Sequence, residues 1–212
     1  MVTESALTSI APVLAAGNDL PVYVVPQQVM NGITGLNLHR GCLALGARGA
    51  PLPLSAIATT GGIVVVLERV ANPDNVGGVF RNAAAFGAAG VVVDATTTDP
   101  LYRKAIRTSV GTVLQVPFAC VERSAVALKQ LRDAGFTLVA LTPSAEAVAL
   151  PTCASFLRGS RIALVAGHEG EGLLPETLAL CDIMARIPIE PAVDSLNIAA
   201  AVAIALYEIT NH

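Results

Sequence analysis

Four short apolar runs recur along the chain: residues 63–67 (IVVVL), 90–94 (GVVVD), 136–141 (FTLVAL) and 161–167 (RIALVAG). None alternates apolar with polar positions, so each is predicted to be a strand buried on both faces, as in a parallel sheet covered by helices. Helical patterns lie between them, at residues 76–87 (VGGVFRNAAAFG) and 123–135 (RSAVALKQLRDAG). In the second, Val126, Leu128 and Leu131 are predicted to face the core, Lys129 and Arg132 to face solvent, and Gly135 to stop the helix. Strand and helix alternating from residue 63 to 209 predict an open α/β domain, whose ligands bind outside the carboxyl ends of the strands.

The last stretch, residues 194–209 (DSLNIAAAVAIALYEI), reads as a helix from Leu196 onward and opens with three polar residues, Asp194, Ser195 and Asn197. Asp194 or Ser195 can serve as the cap. Asn197, placed inside the first turn, has no ordinary advantage there over Leu or Ala. The helix body is apolar all round, which predicts burial on every side and, in a chain this size, cover from a second subunit.

The first residues read differently. A strand at 22–25, a short helix after Pro26 and a strand near 43–45 are expected, followed by a linker rich in glycine and proline at 46–53. This predicts a small, partial α/β accessory unit with its linker over residues 1–50 and the main domain over 51–212.

Composition narrows the function. The chain has 212 residues, 53% of them hydrophobic, and 18 glycines, enough for a real core. No apolar run reaches the roughly 18 residues a membrane span needs. The first twenty residues carry Glu4 and no early Lys or Arg, a poor fit to a secretory signal, so a cytoplasmic protein is expected. Cys42, Cys120, Cys153 and Cys181 are scattered, with neither zinc spacing nor a disulfide framework; reduced, buried thiols and no metal are expected. A net charge of −3 argues against a protein that coats nucleic acid indiscriminately, yet leaves room for a local basic patch. Arg103, Lys104 and Arg107 would share one face of a helix, either as a solvated surface or as phosphate contacts.

Three loops can carry chemistry. In residues 69–87, Asn72, Pro73, Asp74 and Asn75 are turn formers, Gly77 and Gly78 permit close backbone approach, and Arg81 follows on a helix. Neither a P-loop nor a dinucleotide fingerprint is present. In residues 167–176 (GHEGEGLLPE) the glycines expose backbone, while Glu169 and Glu171 would repel a phosphate chain, favouring a neutral or cationic ligand. His168 has no Ser or Cys partner in sight and reads as a loop histidine. The third loop is the polar opening at 194–197.

Together these loops resemble the SpoU/TrmH family of S-adenosylmethionine-dependent RNA ribose 2′-O-methyltransferases, of the SPOUT class. The likeness runs over residues 60–210. Its first motif matches Asn75, Gly77, Arg81 and Phe86-Gly87; its second matches Gly167, Glu169, Gly170 and Gly172; its third matches Ile187-Pro188, Ser195, Leu196 and Asn197. The resemblance implies a C-terminal trefoil knot on the open, mostly parallel sheet, with S-adenosyl-L-methionine against it. It implies cofactor contacts from Leu141, Thr142, Gly167, Glu169, Gly170, Gly172, Ile187, Ser195, Leu196 and Asn197. It gives catalytic roles to Arg81, Asn75, Ser195, Asn197 and Glu169, and RNA contacts to Arg81, Arg103, Lys104 and Arg107. Residues 1–50 would be the latter part of a ribosomal-protein-like substrate-binding domain. Ribosomal or transfer RNA would be the substrate and a homodimer the working form. An oxidoreductase on a Rossmann-like sheet and a catalytically silent RNA-binding module of the same fold are the alternatives.

Overall fold

The computed structural model describes residues 1–17 and 20–211. The chain divides into two compact units, Met1–Ala50 and Pro51–His212.

The first unit holds two helices, α1 (Glu4–Ala16) and α2 (Gln27–Thr34). Thr3 caps α1 by accepting from Ala6 N–H. The sequence reading missed α1, whose residues show no apolar stripe, and none of them is buried. The two expected strands shrink to isolated bridges from Val2, parallel to Val24 and antiparallel to Cys42. Pro21 and Pro26 bracket the first stretch and cannot extend a ladder, and Leu45 is fully exposed.

In the second unit a short helix, α3 (Leu54–Ala58), leads into alternating elements. These are β1 (Ile63–Glu68), α4 (Pro73–Ala85), β2 (Gly90–Asp94), α5 (Arg103–Thr108), β3 (Phe118–Val121), α6 (Ser124–Asp133) and β4 (Thr137–Leu141). Then follow β5 (Val148–Ala149), α7 (Leu150–Leu157), β6 (Ile162–Gly167), α8 (Pro175–Leu180), β7 (Ile183–Arg186) and α9 (Ile198–Asn211). The seven strands form one sheet in the order β3-β2-β1-β6-β4-β7-β5, and every pairing is parallel.

The continuous apolar runs have their cause in this layering. Val65 and Leu67 of β1 enter a core with α4, α5, α7 and α9, while Val64 and Val66 enter the opposite one with α3 and α6. A strand covered on both faces is apolar along most of its length, and here the buried acids Glu68 and Asp94 stand only at strand ends. In α6, Leu128 and Leu131 are buried as expected, but Ala125 and Ala127 take the rest of that face, and Val126 is exposed.

Three local expectations change. The helix expected from residue 76 starts earlier, with Asn72 as its cap and Pro73 opening it, so that Gly77 and Gly78 lie well inside α4. A side chain at 77 would sit 2.6 Å from the Ala105 carbonyl oxygen of α5, and one at 78 would sit 2.8 Å from the Ala199 methyl of α9. The two glycines therefore let two helices close on α4. The thiols are not uniformly buried, since Cys42 and Cys120 are exposed and only Cys153 is fully covered. Finally, α9 buries one face, Ile198, Val202, Ala205, Leu206 and Ile209, and exposes the other through Ile204 and Tyr207. An all-apolar helix at the sheet surface has only one neighbour layer in its own chain.

Candidate active site

The sequence places loop-forming residues directly after β4, β6 and β7, and the parallel sheet brings those three strand ends side by side. Register pairs Glu68 of β1 with Gly167 of β6, and Leu141 of β4 with Ala185 of β7. Above these ends lies a cleft of ≈ 250 Å³. Its apolar floor comes from Leu141, Ala166, Ala185, Ile187, Ile198 and Ala201, and its rim from Thr142, Gly167, His168, Glu169, Gly170, Gly172, Asp194, Ser195 and Leu196, with Pro143 and Ile189 beside them. Of the residues expected to hold a cofactor, all but Asn197 line this one space.

The loop after β6 is tightly folded. Gly172 N–H donates to the His168 carbonyl oxygen at 2.9 Å, with Gly172 at φ 70°, where glycine alone is comfortable. The His168 ring Nδ1 accepts from Gly170 N–H at 3.0 Å and from Glu171 N–H at 3.1 Å. A side chain at Gly167 would meet the Gly172 backbone at 2.9 Å, so the loop itself fills the space that glycine leaves. His168 is thus a loop histidine with a defined task, holding the turn as an acceptor. The Arg69 guanidinium bonds the Glu171 carboxylate and keeps it below the usual carboxylate range.

Asn75 joins the loops. It is buried in the first turn of α4, and its Nδ2 donates to the Glu169 carboxylate. Its Oδ1 accepts from Asn197 Nδ2 at 2.8 Å. Asn197 Oδ1 in turn accepts from Ala199 N–H at 3.0 Å and Ala200 N–H at 3.3 Å, and its carbonyl accepts from Ala201 N–H at 2.9 Å. Asn197 is therefore the cap of α9, which starts at Ile198 and not at Leu196. The three polar residues divide their work: Asp194 and Ser195 face the cleft, and Asn197 faces the helix and Asn75. Asn82 of α4 adds a bond to the Ala199 carbonyl oxygen at 2.7 Å.

The expected basic residues lie outside the cleft. Arg81 is exposed on α4, and its side chain makes no hydrogen bond or ion pair to any described residue. Lys104 pairs with Asp74 at 2.8 Å, while Arg103 and Arg107 stand exposed on the same short helix, α5, beside the first turn of α4. The cleft lining holds no Lys or Arg and two carboxylates, Glu169 and Asp194. Among the described residues no cluster of three or more His, Cys, Asp or Glu can hold a metal ion. Sequence reasoning missed Asp194 as a lining residue and the buried Glu68. An acid closing the apolar run IVVVLE without any break was the available signal for Glu68.

Comparison with known proteins decides the family. The model of the SpoU rRNA Methylase family matches residues 62–207. The chain belongs to that family. A relative from Mycobacterium bovis, an uncharacterized tRNA/rRNA methyltransferase, is 41% identical over 196 residues, covering 92% of this chain and 68% of the relative. A 23S rRNA (guanosine-2′-O-)-methyltransferase, RlmB, from Xanthomonas campestris is 31% identical over 195 residues, covering 89% and 77%. Among solved structures, the AdoMet-bound rRNA methyltransferase of Sinorhizobium meliloti superposes with a TM-score of 0.81 at 28% identity, covering 98% of this chain and 78% of that one. The SpoU match covers all three strand-end loops and the α9 cap.

Replacing Asn197 with Ala removes both the cap and the bond to Asn75 and should lower unfolding stability by about 1–2 kcal/mol. Ser195→Ala and Asp194→Ala remove no helix cap and should stay within about 0.5 kcal/mol of the parent. Urea denaturation of the three variants checks the assignment; equal losses at Ser195 and Asn197 would contradict it.

Proposed function

We propose that the protein transfers a methyl group from S-adenosylmethionine to a ribose 2′-hydroxyl of ribosomal or transfer RNA. The observation that carries this reading is the chemistry of the cleft. An apolar floor with carboxylates and no Lys or Arg at its rim suits a ligand with a sulfonium, an ammonium and no phosphate. A dinucleotide would place its pyrophosphate against Glu169 and Asp194, which argues against the oxidoreductase alternative.

When bound, S-adenosylmethionine supplies a methyl group on a positively charged sulfur. Leu141, Ile187 and Leu196 enclose its apolar surface, and Glu169 and Ser195 offer oxygens at the rim. Asn75 and Asn197 shape the site by fixing Glu169 and the start of α9. Arg81 presents a guanidinium cation, a poor base but a good partner for the oxygen as the hydroxyl proton departs. Arg103 and Arg107, and Lys104 through its exposed side, hold the RNA phosphates near the first turn of α4.

Two structural readings accompany this. The segment from Ile187 to α9 passes between the strand-end loops as a trefoil knot; the support is that the loop after β4 and residues 187–198 line the same cleft. The exposed face of α9, with Ile204 and Tyr207, is the homodimer interface; Phe86, just past the end of α4, sits edge-on to Tyr207 and extends it. The compact Met1–Ala50 unit serves as part of a ribosomal-protein-like RNA-docking domain. No helix among the described residues is long and apolar enough to cross a membrane, and the place of work is the cytoplasm.

Arg81→Ala should keep its melting temperature and its affinity for S-adenosylmethionine. Single-turnover methylation at saturating RNA should fall about a hundredfold, the loss of roughly 3 kcal/mol of transition-state stabilisation. A rate within about threefold of the parent, under 1 kcal/mol, would leave the silent RNA-binding module as the better reading. The dimer is checked by sedimentation equilibrium at micromolar concentration, where the parent should run as a dimer and Ile204→Glu as a monomer. A monomeric parent would remove the interface.

A further inference from the structure

The end of β1 carries two residues that the methyl-transfer reading leaves without a task. Glu68 is wholly buried and makes no direct ion pair among the described residues. Burying a carboxylate without a cation costs several kcal/mol unless hydrogen bonds replace its water. Three donors do so. The Ser124 hydroxyl reaches it from the start of α6, the Thr177 hydroxyl from α8, and Leu174 N–H from the end of the loop after β6, at 2.8 Å.

The next residue is strained. Arg69 has φ 60°, a left-handed conformation that costs a non-glycine residue about 1–2 kcal/mol and is held only where the surroundings impose it. Its N–H donates to the Asp94 carboxylate at 3.0 Å, and the following N–H, of Val70, donates to the Thr97 hydroxyl at 3.1 Å. Asp94 is itself buried and takes Thr97 N–H at 2.8 Å. The backbone turn is thus locked from β2, and a glycine would fit it with less strain. The arginine side chain leaves this turn for Glu171, at the tip of the same loop that Glu68 holds at its end.

We infer that Glu68 and Arg69 are positioning residues that hold the loop 168–174 in its cofactor-binding shape, one at its base and one at its tip. The inference rests on the cofactor reading above and adds what presets the site. Gly170, Gly172 and the backbone around them have no side chains of their own to fix them. His168 closes the turn from within, but its hydrogen bonds set the local fold and not the placement of the turn over the strand ends. That placement comes from β1, the strand directly beside β6.

The clamp makes separable demands on variants. Arg69→Gly relieves the strained φ and deletes the guanidinium, so melting temperature should hold while the loop opens. If the loop is then competent about a tenth of the time, affinity for S-adenosylhomocysteine, measured by calorimetry, falls about tenfold. Glu171→Gln should fall similarly, and the double variant should be no worse than either single change, because both remove one interaction. Glu68→Gln can satisfy the same three partners, its amide oxygen taking Leu174 N–H and its NH₂ donating to the two hydroxyls, and should bind within about threefold of the parent. Glu68→Ala cannot, and should lose more affinity than any of the others.

Hydrogen exchange at the amides of residues 170–174 gives a readout that needs no ligand and no activity. It should quicken in Arg69→Gly and Glu68→Ala and stay at the parental rate in Glu68→Gln. Parental exchange in Arg69→Gly overturns the clamp, as does loss of binding in Glu68→Gln equal to that in Glu68→Ala. If the parent itself fails to bind S-adenosylhomocysteine while exchange responds as described, the cofactor reading falls and the clamp stands.

Discussion

The site depends on the orientation of one buried carboxamide. Asn75 has a group that only donates and a group that only accepts, and the Glu169 carboxylate can only accept from it. The NH₂ must therefore face Glu169, which leaves the oxygen for Asn197. The Asn197 oxygen is in turn aimed at the free N–H groups of α9. Each choice forces the next, from a carboxylate on one loop to the positive end of the last helix. Three segments far apart in sequence are locked in relative position by a chain of side chains with no freedom to flip.

That chain also separates binding from architecture. Asn197 holds the helix, so Ser195 and Asp194, two and three residues earlier, are held at the cleft without being needed for the cap. Gly78 and Asn82 seat the first turn of α9 against α4, and this fixes how far the cap lies from Asn75. The cations Arg81, Arg103 and Arg107 sit outside the cleft, on helices anchored at the same turn. A cleft with acidic and apolar walls beside an exposed basic surface is the division expected when a cationic cofactor meets a polyanionic substrate.

The four long buried strands were legible because a strand covered on both faces is a nearly unbroken apolar run, with acids only at the ends of β1 and β2. The strands β3 and β7 were not, since FACV and IMAR are only four residues long and the second ends on an arginine; β5 has only two residues. The capping residues misled for a physical reason. Asn72, Pro73 and Asn75 favour turns, and the same properties suit the start of a helix, so α4 was read as beginning at Val76 and not at Pro73. The cleft residues could be gathered from motif order. The Glu68 bonds could not, because they link residues 56, 106 and 109 positions apart, and no local pattern records which hydroxyl will face a buried acid.

The central claim is the identity of the atom that receives the methyl group. The direct measurement is to incubate the protein with methyl-labelled S-adenosylmethionine and ribosomal and transfer RNA, digest the RNA to nucleosides, and locate the label by mass spectrometry. The label is expected on the ribose, as a 2′-O-methylnucleoside. Label on a base, or cofactor bound with no label transferred to either RNA, would contradict it.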